Sequence, residues 1–260
     1  MKIILFDLDD TLAPSKSPVE PPMAQLLMSL LERVDVCIIS GGRFEQFQAQ
    51  VLSALAASAH LSRLHIMPTC GTQYYRWSAD AGWVQQYAEN LTEAEKQRAL
   101  SAVEEGAREL GLWESQTWGA ILEDRGSQIT FSALGQAAPV AAKAAWDPDG
   151  SKKGRLRDYA AQRLPDLEVR SGGSTSVDIT RRGIDKSYGV AQLCRAYGLE
   201  LSDLLFVGDR LDEAGNDYPV KAMGVECVAV HDWHDTAAFL TNLLHDLEAQ
   251  EPLQPTADPK

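Results

Sequence analysis

The sequence predicts an α/β protein in which a parallel sheet, built from both ends of the chain, carries an inserted α+β domain. Three observations lead there. Short apolar runs near each end stop abruptly at polar or acidic residues, as buried parallel strands do. Helical periodicities separate those runs. The middle of the chain then changes to alternating patterns typical of antiparallel strands.

Taken in order, Lys2 to Phe6 is the first apolar run and ends at Asp7. Pro21 and Pro22 precede Met23, Leu26, Leu27, Leu30 and Leu31, a helix with proline in its first turn. Val34 to Ile39 is a second buried strand running into Ser40-Gly41-Gly42, so strand, helix, strand opens a right-handed parallel unit. Residues 92–110 form an amphipathic helix, with Thr92 as cap and acids in the first turn. Strands follow at 120–123 and 127–133. In the second of these, Gln128, Thr130 and Ser132 alternate with Ile129, Phe131 and Ala133 as in a half-exposed strand. A helix at 153–163 and strands at 167–171 and 175–179 complete the insertion. The buried-strand pattern then returns: a helix at 185–198, Leu204 to Val207 running into Gly208-Asp209, a helix at 213–223, Cys227 to Val230 running into His231, and a helix at 235–247. The expected division is a Rossmann-like core of residues 1–81 and 181–247, an α+β cap of 82–180, and a flexible, proline-rich tail of 248–260.

Bulk properties narrow the function. At 260 residues, 45% of them hydrophobic, the chain has room for two modest domains. A formal net charge of -13 opposes binding to nucleic acid or anionic lipid, so any anionic substrate must meet positive charge concentrated locally. Cys37, Cys70, Cys194 and Cys227 form no Cys-x-x-Cys pair, which argues against zinc and redox motifs. No apolar stretch approaches the roughly 18 to 20 residues of a membrane span, and the start lacks the pattern of a secretion signal. The expectation is a soluble cytoplasmic protein.

The chemistry is concentrated at the strand ends. Leaving an extended strand, Asp7 and Asp9 of Asp7-Leu8-Asp9-Asp10-Thr11 can face the same way, so that two carboxylates converge on one substrate atom. Ser40-Gly41-Gly42-Arg43 ends the second strand and offers a hydroxyl and glycine amides to a phosphate oxygen. Lys186 opens a helix, and Gly208-Asp209 with Gly215-Asn216-Asp217 places acids after a third strand, where oxygen ligands suit a hard cation such as Mg2+.

These four elements, in this order, resemble the haloacid-dehalogenase-like superfamily. The resemblance implies a phosphoaspartyl phosphotransferase with Mg2+ as cofactor and a small phosphorylated substrate. It makes Asp7 the nucleophile, Asp9 the acid and base, Ser40 and Lys186 the partners of the phosphoryl group, and Thr11 a supporting residue. It implies a metal held by Asp7, Asp209 and the backbone carbonyl of Asp9, with Asp217 as a further metal candidate, and Asn216 and Asp217 bracing the loop or Lys186.

In the insertion, Glu123-Asp124-Arg125-Gly126, Ser132-Ala133-Leu134-Gly135-Gln136 and Gly173-Ser174-Thr175-Ser176-Val177-Asp178 resemble the type IIB cap of the phosphomannomutase-like branch, over most of residues 1–245. The resemblance makes Ser176 and Asp178 sugar-binding candidates, Arg125 and Lys143 candidates for a distal phosphate, and Gly41, Gly42 and Arg43 further substrate contacts. Where the mutases carry more arginines this chain has Gln136, Lys143 and Lys16, and it has Asp10 where they usually have glycine. Lysine is a point charge and glutamine is uncharged, so the clamp for a second phosphate is weakened. The reading is a sugar-phosphate phosphatase first, a phosphomannomutase second, and a non-catalytic binding protein third. The complete set of Asp7, Asp9, Ser40, Lys186 and Asp209 argues against the third.

Overall fold

The computed structural model describes residues 2–249. The first half of the core runs β1 (Ile3–Phe6), α1 (Pro21–Leu31), β2 (Asp35–Ile39), α2 (Phe44–Phe47), a π-helical stretch (Gln48–Leu52), α3 (Ser53–Leu55), β3 (Leu64–Met67), β4 (Gln73–Ser78) and β5 (Gly82–Ala88). The insertion runs α4 (Glu93–Glu109), β6 (Leu122–Asp124), β7 (Gln128–Ser132), α5 (Val140–Trp146), α6 (Ser151–Arg163), β8 (Leu167–Ser171) and β9 (Ser176–Arg181). The chain returns to the core with α7 (Lys186–Tyr197), β10 (Leu204–Gly208), α8 (Tyr218–Ala222), β11 (Glu226–Ala229) and α9 (Trp233–Ala249). No helix among the described residues is long and apolar enough to cross a membrane.

The larger sheet has the order β11-β10-β1-β2-β3-β4-β5, parallel through β3 and antiparallel in the β4–β5 hairpin. Strand alternation fills both faces. Ile4 and Phe6 of β1 join the side chains of α1 and α9, such as Leu27, Leu30 and Leu240. Ile3 and Leu5 point the other way, onto Val190 and Leu193 of α7. Burial of each large aliphatic side chain contributes about 1.5–3 kcal/mol.

One close approach positions α7. Gly71, at φ 85°, lies against Gly189, and a side chain on either would collide with backbone of the other segment. With Asp185 capping the Ser187 amide at 2.9 Å, this contact sets Lys186 at the helix start.

The insertion is a four-stranded antiparallel sheet, order β6-β7-β9-β8, with α4 and α6 packed on one face. A reciprocal capping box starts α4: the Glu95 amide donates to Thr92 Oγ1, and the Thr92 amide to the Glu95 carboxylate.

Several expectations need correction. β5, placed in the insertion by its sequence position, is hydrogen-bonded to β4 in the larger sheet, so the insertion begins after Ala88 rather than at residue 82. β7 is buried on both faces, not half-exposed, because its polar side is hydrogen-bonded to Asp178, Ser176 and Gln136 of the cap and at Ser132 shares a small cavity with Ser15 and Lys16 of the core. The expected helix at 213–223 shortens to α8, since Gly215 and Asp217 are used in a tight turn against Arg210. Glu248 and Ala249 continue α9, and the rest of the expected flexible tail lies outside the described residues.

Candidate active site

The C-terminal ends of β1, β2 and β10, adjacent in the sheet, bring Asp7, Ser40 and Asp209 together. Lys186 completes the set from the start of α7. Its Nζ lies 2.5 Å from Asp7 Oδ1 and 2.5 Å from Asp217 Oδ1, with Lys186 1% exposed, Asp7 4% and Asp217 fully buried. Burial by itself would lower the Lys186 pKa, but Asp217 and Asp7 outweigh it and hold the ammonium protonated. Burial pushes the Asp7 carboxyl well above the usual carboxylate range. Lys186 opposes that, while Asp217 and Asp209 add to it. Asp209 is pushed up for the same reasons, burial first and then Asp217.

Carboxylate oxygens of Asp7, Asp209 and Asp217 lie within 4.8 Å of one another. Oxygen donors so crowded fit a hard divalent cation, which would relieve their mutual repulsion. The three differ in availability. Asp217 already accepts Lys186 on Oδ1 and the Arg210 amide on Oδ2 at 3.1 Å, which makes it the brace of Lys186 more than a metal ligand. Gly208 leaves the room that the Asp217 carboxylate occupies. Asp209 accepts Thr11 Oγ1 weakly at 3.4 Å and stands beside the Asp7 carboxyl. Asn216, expected to share the bracing, is exposed beside Asp217.

Asp9 is held differently. Lys16 Nζ pairs with its Oδ2 at 2.5 Å, the Lys16 amide donates to Oδ1 at 2.8 Å, and Gln50 and Gln46 donate at 3.1 and 3.3 Å. Burial raises the Asp9 pKa, but the Lys16 charge and these hydrogen bonds outweigh it and the carboxyl is shifted down. Gln46 and Gln50 were not anticipated from the sequence. Their one structural mark, the π-helical turn at Gln48–Leu52, is a feature that recurs at functional sites. Asp10 and Lys16, at φ 64° and 59°, bracket the loop in the left-handed region, where glycine is unstrained and aspartate tolerated. Asp10 also accepts the Ser15 amide at 3.1 Å.

Ser40 is buried, and its Oγ accepts the Gly42 amide at 3.3 Å. Arg43, an expected substrate contact, instead points into solvent beside Glu45.

Across the cleft lies the polar face of the cap sheet. Thr130 pairs with Asp178 and Ser132 with Ser176 in register. Asp178 Oδ1 accepts Thr130 Oγ1 at 2.7 Å and Gln128 Nε2 at 2.9 Å, and the Ser132 and Ser176 hydroxyls are 3.3 Å apart. A cavity of about 50 Å³ is lined by Ser15 and Lys16 of the core and by Ser132, Gln136, Lys143 and Ser176 of the cap. Lys143 Nζ donates to the Gln136 carbonyl at 2.8 Å; burial and then Lys16 shift its pKa down. Arg125, the expected distal-phosphate ligand, is not in that lining. Its side chain, 6% exposed, is paired with Glu123 at 2.7 Å and donates to the Gly41 carbonyl at 2.9 Å. The arginine follows β6 at the tight turn into β7, next to the domain junction, and this geometry directs it to the Ser40–Gly42 loop.

A sequence model of the eukaryotic phosphomannomutase family matches residues 23–246. The phosphomannomutase of Schizosaccharomyces pombe is 26% identical over 223 residues, covering 84% of each chain. A probable phosphomannomutase of Caenorhabditis elegans is 23% identical over 263 residues, 95% of this chain and 96% of its own. Among solved structures, Plasmodium falciparum IMP-nucleotidase superposes with a TM-score of 0.71 at 12% identity, over 96% of this chain and 70% of that one. A haloacid dehalogenase-like hydrolase from Bacteroides thetaiotaomicron gives 0.65 at 15% identity, over 93% and 99%. At such identities these two share the fold.

Proposed function

The chain belongs to the eukaryotic phosphomannomutase family, within the haloacid-dehalogenase-like superfamily, and is a phosphoaspartyl-type phosphotransferase; from this premise we propose that it is a phosphatase of a phosphorylated sugar. The observation that carries the choice of water over a second phosphate is the state of the cations around the cleft. Arg125 is committed to Glu123 and Gly41, Lys16 is paired with Asp9, and Gln136 is uncharged. Lys143 is left as the cation turned to the cavity without a carboxylate partner among the described ion pairs. A mutase must grip a bisphosphate at both ends in turn, and a single lysine is a poor substitute for a bidentate guanidinium.

In this reading the Asp7 carboxylate attacks phosphorus as the bond to the sugar oxygen breaks, and Asp9, protonated and released from Lys16 when substrate is bound, gives that oxygen its proton. Asp9 then takes a proton from water, whose oxygen attacks the aspartyl phosphate to release inorganic phosphate and restore Asp7. Lys186 offsets the charge on Asp7 throughout and fixes the carboxylate that is to react. Asp7, Asp209 and the Asp9 carbonyl would hold Mg2+, which when bound draws charge from the transferring group. Ser176 and Asp178 offer hydrogen bonds to sugar hydroxyls from the cap.

The test is a panel of hexose monophosphates assayed with magnesium, with and without a hexose 1,6-bisphosphate, for both free phosphate and isomerised product. Phosphate release that exceeds isomerisation under both conditions supports the phosphatase. Interconversion of mannose 1- and 6-phosphates that outruns phosphate release would replace it with the mutase.

A further inference from the structure

Three successive carbonyls of the Ser40–Gly42 loop are tied down. The Cys70 amide donates to Ser40 O at 3.0 Å, the Thr69 amide to Gly42 O at 3.0 Å, and Arg125 to Gly41 O at 2.9 Å. In a trans peptide the N–H points opposite to the carbonyl it follows, so these ties turn the amides of Gly41, Gly42 and Arg43 the other way. Residues 69 and 70 follow β3, and β2 lies between β3 and β1. The Gly41 and Arg43 amides therefore turn to the side of β1 and Asp7, while the Gly42 amide, set opposite Arg125, meets the Ser40 hydroxyl at 3.3 Å.

Two of the ties belong to the core. Thr69 and Cys70 sit at φ 48° and 56°, strained values for side-chain-bearing residues, and the surrounding bonds hold them there. The third tie comes from the cap. Glu123 receives Arg125 Nε at 3.2 Å and an outer nitrogen at 2.7 Å, which aims the remaining nitrogen at Gly41. The same turn is fastened to the core by Gln73 Nε2, donating to the Arg125 carbonyl at 2.7 Å, and by Thr72 Oγ1, donating to Ser127 Oγ at 2.6 Å.

We propose that Arg125 is a positioning residue through which docking of the cap sets the Gly41–Gly42 peptide for a phosphoryl group at Asp7. The proposal rests on the reading that this loop faces the transferring group, and it gives Arg125 a different task from gripping a distal phosphate. A distal ligand needs an open guanidinium facing the cavity; this one is enclosed, matched in charge and turned to backbone.

The two roles separate in isotope-labelled protein titrated with inorganic phosphate, which has no distal group. The Gly41 and Gly42 amide resonances shift in the wild type, and Arg125→Met weakens phosphate affinity about tenfold, the scale of one charge-assisted hydrogen bond. The same variant lowers kcat for p-nitrophenyl phosphate, and Arg125→Lys restores part of both. Glu123→Gln, which keeps the arginine should Arg125→Met not fold, also weakens phosphate binding here. For a distal clamp it would free the guanidinium and tighten hexose phosphate binding instead. Amides that do not respond to phosphate, unchanged phosphate affinity in Arg125→Met, or tighter sugar-phosphate binding in Glu123→Gln would each overturn the proposal. A wild type that hydrolyses no hexose phosphate removes the phosphatase reading, while the amide shifts still decide the role of Arg125.

Discussion

At the end of the large sheet, Lys186, Asp7 and Asp217 are charged groups in direct contact and almost wholly buried. On the cap strands opposite, Gln128, Thr130, Ser132 and Ser176 gather neutral groups around a single carboxylate, Asp178. The first arrangement is rigid, because removing one charge leaves the others uncompensated in a dry site. The second exchanges hydrogen bonds of similar strength and tolerates small changes. Bond-making chemistry requires the first kind of surface, and discrimination among hydroxyl groups the second.

Five substitutions press on that contrast. The largest effect is expected for Asp7→Asn, which should reduce turnover by about 10³-fold or more because no other group can carry the phosphoryl intermediate. Phosphate release near the wild-type rate would remove the nucleophile from the scheme. Lys186→Met should lower turnover less steeply than that and cost about 3–5 kcal/mol of stability by stranding two buried carboxylates. Thr130→Val on the cap should cost about 1–3 kcal/mol for its lost bond to Asp178. Urea unfolding of both variants compares the regions directly, and equal losses would erase the distinction.

Asp178→Asn keeps the shape of the cap face but alters its acceptor pattern, so KM for a sugar phosphate should rise about tenfold with a much smaller change in kcat. A loss confined to kcat would place Asp178 with the catalytic group instead. Gln136→Arg should have the smallest effect, a modest shift from phosphate release toward isomerised product when a bisphosphate is supplied. An unchanged product ratio would show that charge at this position does not decide the acceptor.

The charged side of this comparison was legible in the sequence. Strands buried on both faces leave uninterrupted apolar runs, so their polar residues must stand at the ends, as Asp7, Ser40 and Asp209 do. The cap side was partly hidden. Alternation in β7 looks the same whether its polar face meets water or another domain, and the packing partner that buries Gln128 and Thr130 is distant in the chain. β5 was assigned to the insertion for a similar reason, since nothing local to Gly82–Ala88 says which sheet its hydrogen bonds join. Gln46 and Gln50 carry no signature in the sequence; α2 and the π-helical turn after it place them together on Asp9. Arg125 carried the right charge for a phosphate, but which oxygen it meets depends on the turn that holds it.

The placement of β1 has a consequence for how the protein is made. This central strand takes its neighbours from the two extremes of the core, β2 shortly after it and β10 only beyond the whole insertion. During synthesis the emerging β1–β2 pair therefore has an apolar, unsatisfied edge until residues 204–208 leave the ribosome, while the cap, continuous in sequence, is free to fold ahead of it. Lys186 emerges with α7 shortly before that strand, and Asp209 and Asp217 just after it. A nascent chain stalled before Lys186 would hold Asp7 without its counter-charge and with its strand edge exposed to chaperones.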